Sequence, residues 1–91
     1  MCGLCGVSFD DLSRAPDGAR VLAMARTIAH RGPDDEGLWT RGSSALGFRR
    51  LSIIDLAGGH QPIENESGEI AIAINCEIYN FVELREELER K

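Results

Sequence analysis

The chain has 91 residues, of which 43% are hydrophobic and 27% are charged, a composition typical of a folded domain rather than a disordered segment. Acidic residues outnumber basic ones by 15 to 10, and the net charge of -5 has the wrong sign for nonspecific binding to nucleic acid. No apolar run approaches the roughly 20 residues that span a bilayer, and the amino-terminal sequence lacks the pattern of a secretion signal. We therefore expect a cytoplasmic protein that binds neither nucleic acid nor a membrane.

The first half of the chain predicts a strand, a helix and a hairpin. Residues 3–9 are short and apolar, which is typical of a buried strand. Residues 19–30 carry apolar side chains at helical spacing and therefore predict an amphipathic helix. Residues 36–41 and 44–55 predict two strands that flank a tight turn.

Alternation within the predicted strand 44–55 sends one of its two adjacent arginines to an apolar face. The residues on that face are Leu46, Phe48, Arg50, Ser52 and Ile54. A buried guanidinium needs an anion, and if the protein supplies none, a ligand carboxylate bound through both of its oxygens is the natural candidate.

The second half predicts a long loop, a buried strand and a terminal helix. We expect a loop at residues 57–68 and a strand at residues 69–75 that is apolar on both faces. Such a strand needs a covering layer on each side, as in the interior of a layered sandwich. The last helix is expected to use Asn80 as its capping residue and to turn Leu84 and Leu88 inward.

The second residue is a cysteine, so removal of Met1 would expose an α-amine beside a thiol. Thiols and α-amines are both partly deprotonated near neutral pH, so proton transfer between them has only a small free-energy change. Cys2 is therefore a candidate nucleophile for an amide carbonyl. The structural alternative is a small apolar residue at the end of a strand.

Cys2 and Cys5 also form a C-x-x-C pattern, which offers a redox or metal-binding alternative. A redox pair of this kind normally stands at the start of a helix, whereas a strand is predicted here. A zinc site needs two further ligands, and no His or Cys elsewhere has ligand spacing. We therefore expect reduced thiols and no metal site.

Five motifs occur in order along the chain: MCG at the start, HRGPDDEG at 30–37, FRRLSIIDL at 48–56, GGHQP at 58–62 and NCEIYNF at 75–81. Together they resemble the glutaminase domain of glutamine-dependent asparagine synthetases, a class II glutamine amidotransferase of the N-terminal-nucleophile hydrolase family. The resemblance implies an α+β fold, part of a four-layer αββα sandwich with antiparallel sheets. It identifies residues 1–91 as the amino-terminal portion of such a domain.

The resemblance also implies a catalytic mechanism. Cys2 would attack the side-chain amide of glutamine, giving a glutamyl thioester and ammonia, and water would then release glutamate. Asn75 and the backbone N–H of residue 76 match the two donors of the oxyanion hole. Position 76 is Cys where the family pattern has Gly, so this donor is retained but a side chain is added beside it.

Substrate-binding residues are implied in the same way. Arg50 matches the residue that binds the α-carboxylate of glutamine, and Glu77 matches the residue near its α-amine. The backbone of Leu51 and Ile53 matches the pocket lining, to which Asn75 also contributes.

A synthetase domain with an ATP site is absent from these 91 residues. The resemblance implies that a longer parent uses the ammonia for ATP-dependent conversion of aspartate to asparagine. No cofactor is expected in this segment, because ATP and Mg are implied only for the synthetase domain. The expected partners are glutamine, the remainder of the glutaminase domain and a synthetase domain, or a second copy of the chain. A non-catalytic remnant or interaction module of the same fold is the alternative, which Cys76 and the missing second half favour.

Overall fold

The computed structural model describes residues 2–51 and 59–91. Within them the chain has an α+β fold. Its elements in order are β1 (Gly3–Ser8), α1 (Gly18–Thr27), β2 (Asp35–Arg41), β3 (Ser44–Arg50), β4 (Ile63–Glu64), β5 (Ala71–Ile72) and α2 (Phe81–Glu89). The strands form an antiparallel three-stranded sheet in the order β1-β3-β2 and a separate antiparallel pair, β4-β5.

Helix α1 covers one face of the three-stranded sheet. Asp17 caps it, because the Asp17 carboxylate accepts a hydrogen bond of 3.0 Å from the backbone N–H of Ala19. Val21 and Ala25 are only 1% and 0% exposed against the sheet. The predicted helix is confirmed, but it ends at Thr27 because the N–H of Ile28 bonds to the carbonyl of Ala25 in a tighter turn.

The opposite face of β3 buries Phe48 and Arg50, which are 0% and 6% exposed. These residues alternate with Ala45 and Gly47, which are also buried. The prediction that Arg50 shares a face with apolar residues is therefore confirmed. The hairpin is confirmed as well, since β2 ends and β3 begins on either side of a two-residue connection. The strand predicted at 44–55 ends at Arg50, and Ser52 and Ile54 of its predicted face lie outside the described residues.

The predicted strand at 69–75 is wrong in length. Only Ala71–Ile72 is in strand conformation, and it pairs with Ile63–Glu64, a strand that lies within the predicted loop at 57–68. A strand extends only as far as a neighbour supplies hydrogen bonds, and β4 offers two residues. Ile70 and Ile72 are consequently 67% and 52% exposed rather than buried.

Helix α2 begins after Asn80, as predicted, but the expected packing is wrong. The side chain of Asn80 makes no capping hydrogen bond, and no residue of α2 is buried within the described part of the chain. Leu84 and Leu88 are 38% and 68% exposed because no other described element covers this helix. Neither helix in residues 2–51 and 59–91 is long and apolar enough to cross a membrane.

A charged cluster connects α1 to the sheet. Glu36 accepts hydrogen bonds from Arg26 of α1 at 3.2 and 3.3 Å and from Arg49 of β3 at 2.9 Å. Arg49 also donates to the carbonyl of Gly32 at 2.9 Å. The hydrogen bond from Arg26, followed by its charge and the bond from Arg49, holds the pKa of Glu36 below its ordinary value of 4.5.

This lowered pKa predicts an acid-sensitive contribution to stability. The folded carboxylate loses its proton more readily than the unfolded one, so its stabilising effect is full above about pH 4.5 and disappears as the pH falls through the lower folded pKa. We expect Glu36→Gln to lower the Tm at pH 7 and to lower it less at pH 3. Thermal unfolding of both proteins at the two pH values measures this difference, and an equal effect at both would contradict it.

Candidate active site

The sheet register places three functional side chains at the same end of the three-stranded sheet. Gly3 pairs with Arg49, so Cys2 stands just before β1 at the end of the sheet that holds Arg50, and Asp35 pairs with Arg50 from the other side. Directly opposite residues of an antiparallel pair project to the same face of the sheet. A thiol, a guanidinium and a carboxylate therefore line one end of this sheet.

Cys2 is held by contacts at both its side chain and its backbone. Its Sγ lies 3.4 Å from the backbone N of Leu51, which donates to it, and 3.9 Å from the carbonyl oxygen of the same residue. The carbonyl oxygen of Cys2 accepts hydrogen bonds of 3.1 Å from Arg31 Nε and 3.1 Å from Asn75 Nδ2. Chain ends usually fray, so these bonds fix a half-buried residue that would otherwise move.

Two sequence-predicted residues, Cys2 and Asn75, are thus within hydrogen-bond distance although 73 positions separate them. Leu51, predicted to line the pocket through its backbone, contacts the thiol through that backbone. Sequence reasoning missed Arg31. It stands in a loop within the HRGPDDEG motif, but nothing in its spacing distinguishes it from a surface arginine.

The buried guanidinium of Arg50 faces a carboxylate of the protein itself. The side chain of Asp35 lies opposite it in the register, and the positive charge of Arg50 contributes to lowering the pKa of Asp35 below 3.8. The largest cause of that lower pKa is the hydrogen bond with His60, whose Nδ1 lies 2.6 Å from Asp35 Oδ2. The sequence left open which anion accompanies the buried guanidinium of Arg50. Asp35 supplies one such carboxylate, and the motifs had assigned no role to this residue.

The remaining predicted site residues differ in how the structure describes them. Asn75, Cys76 and Glu77 are all exposed, and Glu77 makes no hydrogen bond or ion pair within the described residues. Ile53 lies outside the described residues. The structure thus brings Cys2, Leu51, Arg50 and Asn75 to one end of the sheet.

The two cysteines of the C-x-x-C pattern are on different sides of the chain. Cys5 Sγ lies 3.7 Å from the carbonyl oxygen of Val21 in α1, whereas Cys2 Sγ contacts Leu51. Three residues of strand span about 10 Å, beyond the roughly 7 Å Cα separation that a disulfide tolerates. Burial raises the pKa of the Cys5 thiol, which reduces its reactivity. This geometry argues against the redox alternative.

Metal ligands are not assembled in the described ranges either. Residues 2–51 and 59–91 contain no group of three or more His, Cys, Asp or Glu side chains that could hold a metal ion. The pair of His60 and Asp35 stands beside the Arg50 guanidinium. The positive charge of that guanidinium makes the position unfavourable for a cation.

Comparison with known proteins supports the resemblance of the five motifs. The family model described as "Glutamine amidotransferase domain" matches residues 1–91. The chain belongs to this family. The assignment made from the motifs is thereby confirmed at the level of the family, while the roles of individual residues stay predictions.

The relatives of this glutamine amidotransferase domain carry names that fit the motifs. It is 45% identical over 93 residues to the glutamine-hydrolyzing asparagine synthetase 1 of Bacillus subtilis (strain 168), a match that covers 100% of the chain. It is 45% identical over 89 residues to the enzyme of that name from Arabidopsis thaliana, and 46% identical over 89 residues to the glutamine-hydrolyzing asparagine synthetase of Asparagus officinalis. The chain spans 15% of the length of each of these curated relatives.

Proposed function

We propose that this amidotransferase domain hydrolyses the side-chain amide of glutamine with Cys2 as the nucleophile. The observation that carries the proposal is the joint position of the Cys2 thiol, the Asn75 amide and the Arg50 guanidinium at one end of the sheet. A thiol beside an amide donor and a buried cation suits an amino acid substrate with a carbonyl at one end and a carboxylate at the other.

In the proposed reaction the α-amine of Cys2, freed by loss of Met1, takes the thiol proton as sulfur attacks the amide carbon. The resulting oxyanion is stabilised by the Asn75 side-chain N–H and the backbone N–H of Cys76. The tetrahedral intermediate collapses, the C–N bond breaks, and the ammonium of Cys2 returns its proton so that ammonia leaves. Water attacks the thioester in the same way, releasing glutamate and restoring the thiol.

Substrate binding in this proposal relies on Arg50, which would bind the α-carboxylate of glutamine through two parallel hydrogen bonds. The backbone of Leu51 and Ile53 would line the pocket. Glu77 would lie near the α-amine, where a carboxylate stabilises positive charge. A guanidinium carries five N–H donors, so in this proposal Arg50 binds the substrate carboxylate beside the Asp35 carboxylate that the register places opposite it.

The uncovered apolar surface suggests what surrounds this domain. Leu84 and Leu88 of α2 and Ile70 and Ile72 at the β4-β5 pair are exposed, an arrangement typical of faces that pack against another layer. Since the relatives are far longer, we propose that residues 1–91 form the amino-terminal portion of a glutaminase domain whose remainder covers these faces and completes a four-layer αββα sandwich.

By the same proposal, a linked synthetase domain uses the ammonia for ATP-dependent conversion of aspartate to asparagine, and ATP and Mg bind there rather than to residues 1–91. The second candidate is a non-catalytic interaction module of the same fold. The side chain that Cys76 adds beside the proposed oxyanion donor, where the family pattern has glycine, favours this candidate.

A glutamine-like diazo ketone distinguishes the two candidates. We expect a single covalent adduct, located by peptide mapping on Cys2, in protein whose intact mass shows that Met1 is gone. Glutamine should slow its formation by competition. Absence of an adduct in protein that lacks Met1 would favour the interaction module, and an adduct only on Cys5 or Cys76 would contradict the proposed nucleophile.

A further inference from the structure

The 59–62 segment, with the sequence GHQP, connects parts of the candidate site that are far apart in the chain. Its His60 Nδ1 lies 2.6 Å from Asp35 Oδ2 at the start of β2. Its Gln61 Oε1 accepts a hydrogen bond of 2.8 Å from the backbone N–H of Ile74, the residue before Asn75. The segment therefore joins the sheet to the chain that carries Asn75.

Two glycines let this segment lie close to the sheet. A side chain at Gly37 would collide with the backbone of Gln61, so the segment runs directly over β2. A side chain at Gly59 would collide with the guanidinium of Arg50. The backbone at position 59 is thus in contact with the cation assigned to the substrate carboxylate.

Asp35 is the point at which these contacts meet. One carboxylate oxygen accepts from the backbone N–H of Glu36 at 2.8 Å, which orients the group, and the other oxygen bonds to His60. The same carboxylate interacts electrostatically with Arg50. Its position therefore affects both the guanidinium and the segment above it.

From this arrangement we infer that Asp35 and His60 are positioning residues, which hold the 59–62 segment against Arg50 and so set the guanidinium for binding an α-carboxylate. The inference rests on the proposed function. It gives Asp35 and His60 a role in selecting substrates with an α-carboxylate, which the sequence motifs did not assign to them. Without the Asp35–His60 bond, Gly59 is released from Arg50, water reaches the guanidinium, and the carboxylate is bound more weakly. The thiol chemistry at Cys2 is unchanged.

The first measurement separates binding from chemistry. Alkylation by the glutamine-like diazo ketone is followed as a function of its concentration in wild type, Asp35→Asn and His60→Ala. We expect His60→Ala to raise the half-saturating concentration about fivefold, the effect of losing one ordinary hydrogen bond, with an unchanged maximal rate. Asp35→Asn should raise it less, because that substitution also removes a negative charge that opposes binding of a ligand carboxylate to Arg50. His60→Asn, whose side-chain N–H lies near the position of Nδ1, should recover most of the loss.

Matched controls use residues of the same type elsewhere on the surface. Asp10 and His30 are exposed, and Asp10→Asn and His30→Ala should leave the half-saturating concentration unchanged. A diazo ketone that lacks the α-carboxylate should react equally with wild type and His60→Ala. A lower maximal rate at unchanged half-saturation, or an equal loss with both reagents, would overturn the positioning role.

A second measurement is independent of the proposed function. The N–H of Ile74 should exchange with solvent faster in His60→Ala than in wild type, and Arg50 should react faster with an arginine-specific dicarbonyl, as located by peptide mapping. Unchanged exchange and unchanged reactivity would overturn the inference even if wild type is alkylated at Cys2. If wild type is not alkylated, the proposed function fails, and these two readouts still decide whether the pair holds the segment.

Discussion

Replacing Cys2 with alanine is expected to abolish both the diazo ketone adduct and the release of glutamate from glutamine. The substitution removes the attacking sulfur but keeps a small residue, so the hydrogen bonds of Arg31 and Asn75 to the backbone carbonyl are preserved. Intact mass measures the adduct and an enzymatic glutamate assay measures turnover. The Tm should change little because the side chain is only half buried.

The other cysteines provide matched controls for this experiment. Cys5→Ala removes a thiol whose pKa burial raises and which faces α1 rather than the candidate site. Cys76→Ala removes an exposed thiol but keeps the backbone N–H assigned to the oxyanion hole. Both variants should still form the adduct on Cys2. Glutamate release by Cys2→Ala at the wild-type rate would contradict the proposed nucleophile.

The elements that sequence patterns predicted correctly are those whose pattern depends on local contacts. Alternation in β3 placed Arg50 among buried residues, and the spacing of Val21 and Ala25 gave the face of α1 that meets the sheet. The prediction of an apolar strand at 69–75 failed because the length of a strand depends on its hydrogen-bonding partner. Only Ile63–Glu64 pairs with it in the described residues, and the periodicity of a strand contains no information about its neighbours.

The residues of the candidate site also fall into those that the sequence predicted and those that only the structure identified. Motifs identified Cys2, Arg50 and Asn75, and the structure brings these residues to one end of the sheet. Arg31 and His60 could not be predicted, because each acts across a long separation from a loop: 29 positions to Cys2 and 25 to Asp35. A polar side chain in a loop is usually solvated, so only the fold distinguishes those that bond to and position a neighbour.

Asn75→Ala is expected to lower the rate of glutamine hydrolysis by about 10²- to 10³-fold, the usual effect of removing one oxyanion donor. The KM for glutamine should change little, because the donor bonds to charge that develops only in the transition state. Steady-state glutamate release over a range of glutamine concentrations separates the two parameters. A raised KM with an unchanged kcat would contradict this role.

Asn75 also bonds to the carbonyl of Cys2, so a loss of rate could come from a displaced nucleophile rather than a lost oxyanion donor. Arg31→Ala distinguishes these causes, because Arg31 donates to the same carbonyl oxygen at the same distance of 3.1 Å. If holding Cys2 is the only role of Asn75, the two variants should be slowed by similar factors, each within the roughly tenfold that one ordinary hydrogen bond provides. If Asn75 stabilises the oxyanion, its variant should be slower than Arg31→Ala by a further factor of about ten or more, since only it loses a bond that strengthens as charge develops on the substrate oxygen.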